Sequence, residues 1–315
     1  MSILSWNCQG LGNPRKVKTL KRAWKKEAPI CVFLMETKLS TEQLNAKKQN
    51  WDYNQGLVFS SNGLSGGLAL LWKLDTKVHV KNFSRWFIDA HIFCGTTGLC
   101  WRLIGFYGYP ETSKCEESWA FLESLGRSNH LAWRCVGDFN EITSQSKKVG
   151  GCLRPARQMD HFRRTIHLCD LIDLGYYGSP FTWSCNHPKE GRTHIRLDQA
   201  LTNNTWKLLF PGSSVHYVSM PSSDHSMLTI LLKPSQSRKP RYRPLFRFEA
   251  IWLQDPRCAE VVQEAWHEGL YISNGDTIIN CHNTCCHPLT EWNKREFGHV
   301  GNQIERLDRK LQLLE

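Results

Sequence analysis

Short apolar runs broken by turn residues fill the first 230 or so positions of the chain. Ile3-Leu4-Ser5-Trp6 reads as a buried strand, and Ile30 to Met35 as a second. Between them Asn13 and Pro14 form an N-cap and first-turn pair. Val17, Leu20, Ala23 and Trp24 follow at helical spacing. Ser40 with Gln43 makes a capping box for a short helix. From Trp51 to Tyr107 short strands are broken at Asn62-Gly63 and Gly66-Gly67. A helix is predicted around Glu116 to Leu125 and a strand over Ala132 to Gly137. Pro155 opens another helix, carrying Met159, Phe162, Ile166 and Leu168. Further strands are predicted over Phe181–Ser184, Ile195–Leu201, Val215–Ser219 and Met227–Leu232. Many strands with few helices predict an α/β chain in which helices pack outside stacked, mixed sheets. The alternation is too irregular for a parallel doubly wound fold.

The pattern changes after Leu232. Residues 234–247 hold Pro234, Pro240 and Pro244 among five arginines and lysines, with little that could pack, and read as a basic linker. The expected organisation is a main domain over 1–233, this linker, and a helical tail over 248–315. In the tail, Asp255-Pro256 starts a helix and Gly269 is expected to stop it. Val300, Ile304, Leu307, Leu311 and Leu314 form an apolar stripe running to the last residue. An uncovered stripe fits a chain cut from something longer, or an oligomer contact.

Charge narrows the partners. A formal net charge of +11 suits a polyanion such as nucleic acid, although a merely basic surface gives the same number. Thirteen scattered cysteines argue against a secreted disulfide framework. Met1-Ser2-Ile3 runs into the first strand without the features of a signal peptide. No apolar stretch approaches the roughly 20 residues that span a bilayer. A nuclear or cytoplasmic location is expected, with no membrane contact. Cys281 to His287 is rich in cysteine and histidine, but its spacing fits no common zinc finger.

Five polar clusters sit at the ends of the apolar runs: Ser5-Trp6-Asn7, Met35-Glu36-Thr37-Lys38, Gly137-Asp138-Phe139-Asn140, Arg196-Leu197-Asp198 and Ser223-Asp224-His225. Polar groups at the lip of a sheet are placed for chemistry more than for packing. Hydrolysis of a phosphodiester needs an activated water, neutralised phosphorane charge and help for the leaving oxygen. Mg²⁺ takes a few carboxylates plus waters and phosphate oxygens, and Glu36 is the best candidate ligand. Taken alone, it reads more readily as a surface glutamate. Asp138 and Asn140 alternate on an extended segment and so point the same way, one accepting a proton from water and the other holding that water. A plain turn is the other reading. A histidine held by a carboxylate keeps one tautomer and can carry positive charge, so His225 with Asp224 or Asp198 is the sharpest element. Tyr107 could present a phenol to the leaving oxygen, or merely pack.

Together these strings resemble the exonuclease–endonuclease–phosphatase superfamily, which has the deoxyribonuclease I-like fold. The fuller text is similar to the endonucleases of plant LINE-type (non-LTR) retrotransposons. The matching strings are Ser5 to Gly12, Glu36-Thr37-Lys38, Gly105 to Gly108, Gly137 to Glu141, Phe181 to Ser184, Arg196 to Leu201 and Ser223-Asp224-His225. Phe246 to Glu249 and Trp292 to Gly298 are similar to the segment such elements carry before a reverse transcriptase. No polymerase motif is present here.

The resemblance implies a four-layer α/β sandwich and Mg²⁺-dependent nicking of DNA, with Mn²⁺ as a possible substitute. Carried over, Glu36 binds metal with Asn7 close by, and Asp224 supports the metal side. Asp138 is base or water-orienter, and Asn140 positions water or phosphate. Tyr107 sits at the phosphate or leaving group, and His225, oriented by Asp198, stabilises the transition state. Lys38, Lys147, Lys148, Arg154 and Arg157 are the basic candidates for DNA contact. Gln9 departs from the pattern, since apurinic-site nucleases commonly have an acidic residue two positions after the asparagine. That weakens a repair assignment. Two other expectations stand beside the nuclease: a silent element remnant that only binds nucleic acid, and a small-molecule phosphatase.

Overall fold

The computed structural model describes residues 1–94, 98–127, 131–187, 191–220, 222–233, 248, 250–271 and 277–296. Two compact units divide the chain, Met1–Gln236 and Ser237–Glu315. The basic stretch 234–247, Glu249 and the stripe from Val300 to Leu314 lie outside the described residues, as do Phe297 and Gly298.

The first unit opens with β1 (Ser2–Asn7), α1 (Pro14–Glu27), β2 (Cys31–Met35), α2 (Thr41–Lys48), β3 (Gln55–Phe59) and β4 (Leu68–Trp72). It continues with β5 (Lys77–Phe83), β6 (Phe87–Cys94), β7 (Leu99–Tyr107), α3 (Cys115–Arg127), β8 (Trp133–Asp138), β9 (Lys148–Val149) and α4 (Ala156–Leu168). The rest is β10 (Ile172–Asp173), β11 (Trp183–His187), β12 (Gly191–Ile195), β13 (Asp198–Thr202), α5 (Asn204–Leu209), β14 (Ser214–Val218) and β15 (Met227–Leu231).

One six-stranded sheet has the order β14-β15-β1-β2-β4-β3 and the other β10-β13-β8-β7-β6-β5, while β11, β12 and β9 form a third, three-stranded sheet. Both large sheets are mixed. β1 and β2 pair parallel, as do β7 and β8, among antiparallel neighbours. Alternate residues of each strand face opposite ways, which builds the layers directly. Ile3, Phe33, Leu70, Leu103 and Val136 meet between the sheets. Leu4, Trp6, Val32 and Leu71 pack outward against Leu20 and Trp24 of α1. Ile104, Phe106 and Cys135 pack on the other outer face against Trp119, Leu122 and Phe162 of α3 and α4. The product is the four-layer α/β sandwich. Gly105 lets the sheets close, because a Cβ there would stand 2.3 Å from the Phe33 ring.

The N-cap of Asn13, the capping box of Ser40 and Gln43, and the Asp255 cap form as the sequence predicts. Two local readings differ. The predicted strand Ile195–Leu201 is two strands in different sheets, parted at Arg196-Leu197. The break has a physical cause: the Arg196 guanidinium is held in by Asp173 at 2.8 Å and the Tyr217 hydroxyl at 2.8 Å. Leu168, predicted on the buried stripe of α4, is exposed, and Thr165 takes the inward place.

In the second unit α6 (Pro256–Leu270) and α7 (Thr277–Glu296) share a core of Trp252, Cys258, Ala265, Cys285, Leu289 and Trp292. Gly269 lies inside α6, against Cys281 of α7, and does not end the helix. Cys281 to His287 form the middle of α7. No helix among the described residues is long and apolar enough to cross a membrane.

Candidate active site

The strand ladders bring the predicted residues to one end of the two large sheets. Asn7 ends β1 opposite Met35, the last residue of β2, and Glu36 follows it. Tyr107 ends β7 opposite Asp138, which ends β8, and Asp138 in turn faces Asp198 at the start of β13. His225 stands just before β15, bridged to Trp183. Four strands thus end together where β13 and β15 begin, and each of the six brings a polar side chain to the same place.

Those side chains form a connected network. Asn7 Nδ2 donates to Asp138 Oδ2 at 2.9 Å, and the Asn140 amide N–H donates to Asp138 Oδ1 at 2.9 Å. His225 Nδ1 lies 2.8 Å from Asp198 Oδ2, and its Nε2 lies 3.8 Å from Asp138 Oδ2. Tyr107 donates its hydroxyl to Glu36 Oε1 at 2.7 Å, and the Gly66 N–H donates to the same oxygen at 2.9 Å. The Asp138 N–H also points at Met35 Sδ, 3.2 Å away, tying the two sheets at the site. Asn7, Glu36, Asp138, Asp198 and His225 are all buried.

Burial makes these charges interact strongly. The Asp138 carboxyl is pushed up to about 6, first by burial and then by the Asp198 charge; His225 and the hydrogen bonds only partly oppose this. Burial alone would push the His225 imidazole down. Asp198 and then Asp138 outweigh it and raise the group to about 9, so His225 is cationic at neutral pH. The Tyr107 phenol is raised well beyond its ordinary value by burial, then by the Asp138 and Glu36 charges. It stays a neutral O–H donor.

The donor set fits a hard cation on the Glu36 side. Glu36 Oε2 lies 3.7 Å from Lys38 Nζ, and among the described residues Asn7 Oδ1 is buried without a hydrogen-bond partner. Both are oxygens of the kind Mg²⁺ prefers. Asp138, Asp198 and His225 also offer atoms within 4.8 Å of one another, the one such group among the described residues. That trio is a poorer cation site, because His225 Nδ1 is already committed to Asp198.

Other predicted residues are placed differently. β8 stops at Asp138 and Asn140 has φ 54°, so the two do not alternate along a continuing strand. Asn140 instead caps the Asp138 carboxylate and donates its side-chain amide to the Gly108 carbonyl at 2.9 Å. Asp224 is exposed and accepts from Trp183 Nε1 at 3.0 Å. Lys38 reaches Gln9 Oε1 at 2.9 Å. Lys147 is mostly covered, between Asp173 at 3.4 Å and Gln199 at 3.2 Å. Lys148 bonds the Cys152 carbonyl, and Arg154 bonds the Asn140 carbonyl at 3.0 Å. Arg157 is exposed, 3.5 Å from Glu116.

Sequence reasoning missed two positioning groups. Thr182 Oγ1 is buried and accepts from the N–H groups of both Leu197 and Asp198, at 3.0 and 2.9 Å. Gly66 and Gly67 hold the Glu36 loop through backbone bonds to Glu36, Thr37 and Lys38. The clue was on the page in both cases: Thr182 lies inside Phe181-Thr182-Trp183-Ser184, and a glycine pair admits a close backbone approach.

Comparison with known proteins agrees with this geometry. A 3′ phosphatase from Neisseria, NExo, solved with a product DNA hairpin, superposes with a TM-score of 0.56 at 18% identity over 74% of this chain and 99% of that one. An AP endonuclease from Leishmania major gives 0.56 at 13% identity, over 74% and 87%. The endonuclease domain of TRAS1, a telomere-specific non-LTR retrotransposon, gives 0.55 at 15% identity, over 75% and 99%. At such identities the likeness shows the fold alone. No curated protein matches the chain. Residues 4–225 match the model of the Endonuclease/Exonuclease/phosphatase family. That span takes in every residue of the network, and the chain belongs to this family of phosphoester hydrolases.

Proposed function

We propose that the chain is an Mg²⁺-dependent DNA endonuclease of the non-LTR retroelement kind, its catalytic unit ending near residue 233. One observation carries the reading: a buried, cationic His225 is clamped by Asp198 and faces Asp138, with the Glu36 oxygens at the same sheet end. Mg²⁺ bound by Glu36 and Asn7, with Mn²⁺ as a substitute, would neutralise phosphate charge and assist the leaving oxygen. Asp138 is ionised above pH of about 6 and takes the proton of the attacking water. The water oxygen bonds to phosphorus, the P–O ester bond breaks, and the departing oxygen takes a proton from solvent. His225 donates from Nε2 to a phosphate oxygen that gains charge, and Asp198 fixes its tautomer. Tyr107 holds Glu36 in place as a neutral donor.

DNA is favoured over a small phosphate ester by the +11 charge. The retroelement reading draws on the ordered strings and on the fold shared with TRAS1. The test is conversion of supercoiled plasmid to open circle by the purified chain with Mg²⁺, with Mn²⁺ and with EDTA. Nicking only with a divalent cation is expected. Persistence in EDTA, or hydrolysis of small phosphate esters without nicking, would overturn the proposal.

A further inference from the structure

On the outer face of the first sheet, α1, the edge strand β14 and its neighbour β15 enclose a cleft of about 650 Å³. Val218, Met220 and Met227 give it an apolar floor. Its wall carries Arg15, Arg22 and Lys26, all exposed. Their spacing puts them on one face of α1, with about 10 and 6 Å between them along the axis at 1.5 Å per residue. The whole helix, PRKVKTLKRAWKKE, holds seven arginines and lysines against one glutamate and has no acid in its first turn. One weak surface pair, Lys26 to Glu27 at 3.5 Å, offsets this charge.

Two further observations point to a ligand. Ser222 lines the cleft with a buried Oγ that has no hydrogen-bond partner. The cleft also runs from the active-site end of the sheet to the opposite end. Ser222 stands three residues before His225, and Asn13 stands six after Asn7. Glu27, at the other end, accepts through its carbonyl from Ser2 Oγ, at the start of β1.

We propose that this cleft is a track for a single-stranded segment of nucleic acid that leaves the active site. Its phosphates lie on Arg15, Arg22 and Lys26, and its unstacked bases cover the floor of Val218, Met220 and Met227. A row of cations that can track a phosphate backbone beside a surface on which bases can lie follows the logic of single-strand binding. The choice of a nucleic acid as the polyanion rests on the nuclease reading; the track itself rests on the cleft.

The test uses the full chain in EDTA and a fluorescein-labelled single-stranded oligodeoxynucleotide, with anisotropy read across a salt series. Arg15→Glu/Arg22→Glu/Lys26→Glu should bind at least about tenfold more weakly. Its log–log salt slope should be shallower by about 2, from three contacts at about 0.7 each. Lys18→Glu/Lys21→Glu/Lys25→Glu makes the same charge change on exposed positions of α1 outside the cleft, and should stay within about threefold of the parent. Equal weakening by both triples would reduce the effect to general attraction and overturn the track. So would equal competition by a duplex of the same length or by polyglutamate. Plasmid nicking with Mg²⁺ is scored separately. A chain that binds strand through the cleft but does not nick supports the track and breaks the nuclease reading; a nicking chain whose cleft triple binds normally breaks the track alone.

Discussion

The two halves of the active site are built by different means. On one side, Asp138 faces Tyr107 in a parallel ladder and Asp198 in an antiparallel one, so strand register sets their positions. On the other, Glu36 has left its strand. Glu36 and Lys38 have φ of 52° and 53°, and Gly67, with φ 90°, sits where a Cβ would stand 2.3 Å from Thr37 Oγ1. Non-glycine residues in this region cost of order 1–3 kcal/mol each and persist only where the surroundings hold them. Here Gly66 and Gly67 hold them through hydrogen bonds to Glu36, Thr37 and Lys38. A ladder fixes a charge through many shared bonds; a strained loop fixes one through a few. The ladder half should therefore fail through its side chains, and the loop half through its backbone.

The largest effects belong to the ladder half. His225→Ala and Asp138→Ala should each lower plasmid nicking by about 10²–10⁴-fold, the usual contribution of an acid–base group, with the circular dichroism spectrum retained. Near-parental nicking by either would move the chemistry elsewhere. The pH profile sharpens the same point. Activity should rise through about 6 as Asp138 ionises, and fall through about 9 as His225 loses its proton. Stability follows with its own signs. His225 is raised in the folded chain, so its contribution is full below its ordinary 6.5 and is lost as pH rises through about 9. Asp138 is also raised, so ionising it costs stability between its ordinary 3.8 and about 6. His225→Gln should erase the alkaline limb in both measurements; an unchanged limb would assign it to another group.

The loop half should break at Gly67. Gly67→Ala forces a Cβ into Thr37 and disturbs the loop that aims Glu36. Nicking should fall about tenfold or more at low Mg²⁺ and recover in part as Mg²⁺ is raised. Glu36→Gln removes the ligand itself and should shift the Mg²⁺ titration further, since an amide is a poor ligand for a hard cation. An Mg²⁺ curve unmoved by both changes would place the cation outside this loop.

Much of this was legible in the chain. Asn7, Glu36, Tyr107 and Asp138 announce themselves because each closes a run of apolar residues, Asp198 and His225 because each stands at the head of one, and a strand end is where a sheet delivers a side chain. The layered α/β order was legible for the same reason, from short apolar runs and well-marked caps. What could not be read is what tertiary contacts decide. Arg196-Leu197 looks like the middle of a strand until Asp173 and Tyr217 pull the arginine inward. Lys147 looks like a free surface charge until Asp173 and Gln199 cover it, where burial lowers its affinity for the proton. Nothing local gives Glu36 its positive φ; the glycine pair 30 residues later does.

Thr182 offers a smaller break in the ladder half, one step removed from the chemistry. Its hydroxyl accepts from the N–H groups of both Leu197 and Asp198. Thr182→Val keeps the shape and takes this acceptor from two buried donors, at up to about 1–3 kcal/mol each before relaxation. Nicking should drop by about tenfold, with the alkaline limb displaced because Asp198 no longer holds His225 squarely. Thr182→Ser should restore both. A stability loss without movement of the pH profile would make the threonine purely structural.

The smallest effects separate two arginines that the sequence puts together. Arg154 and Arg157 are three residues apart at the start of α4, and both read there as phosphate contacts. The structure gives them different surroundings. Arg154 bonds the Asn140 carbonyl at 3.0 Å and sits 3.1 Å from the carboxylate of Glu141, a fully buried residue whose carboxyl is raised by burial and lowered again by this same arginine. It therefore braces the turn that caps Asp138. Arg157 is 80% exposed at its side chain, paired at 3.5 Å with Glu116, itself 68% exposed, and such pairs hold charges only loosely. Arg157→Ala should weaken DNA binding a few-fold for every sequence alike and shallow the log–log salt slope by at most about 0.9, the value of one duplex phosphate. The rate at saturating DNA should not change. Arg154→Ala should do the reverse, lowering that rate several-fold while the slope stays put, because the charge it neutralises is Glu141 and not a phosphate. If Arg154→Ala shallows the slope by a full contact and spares the rate, the arginine leaves Glu141 for DNA when substrate binds, and the brace between the ladder half and the surface is not there.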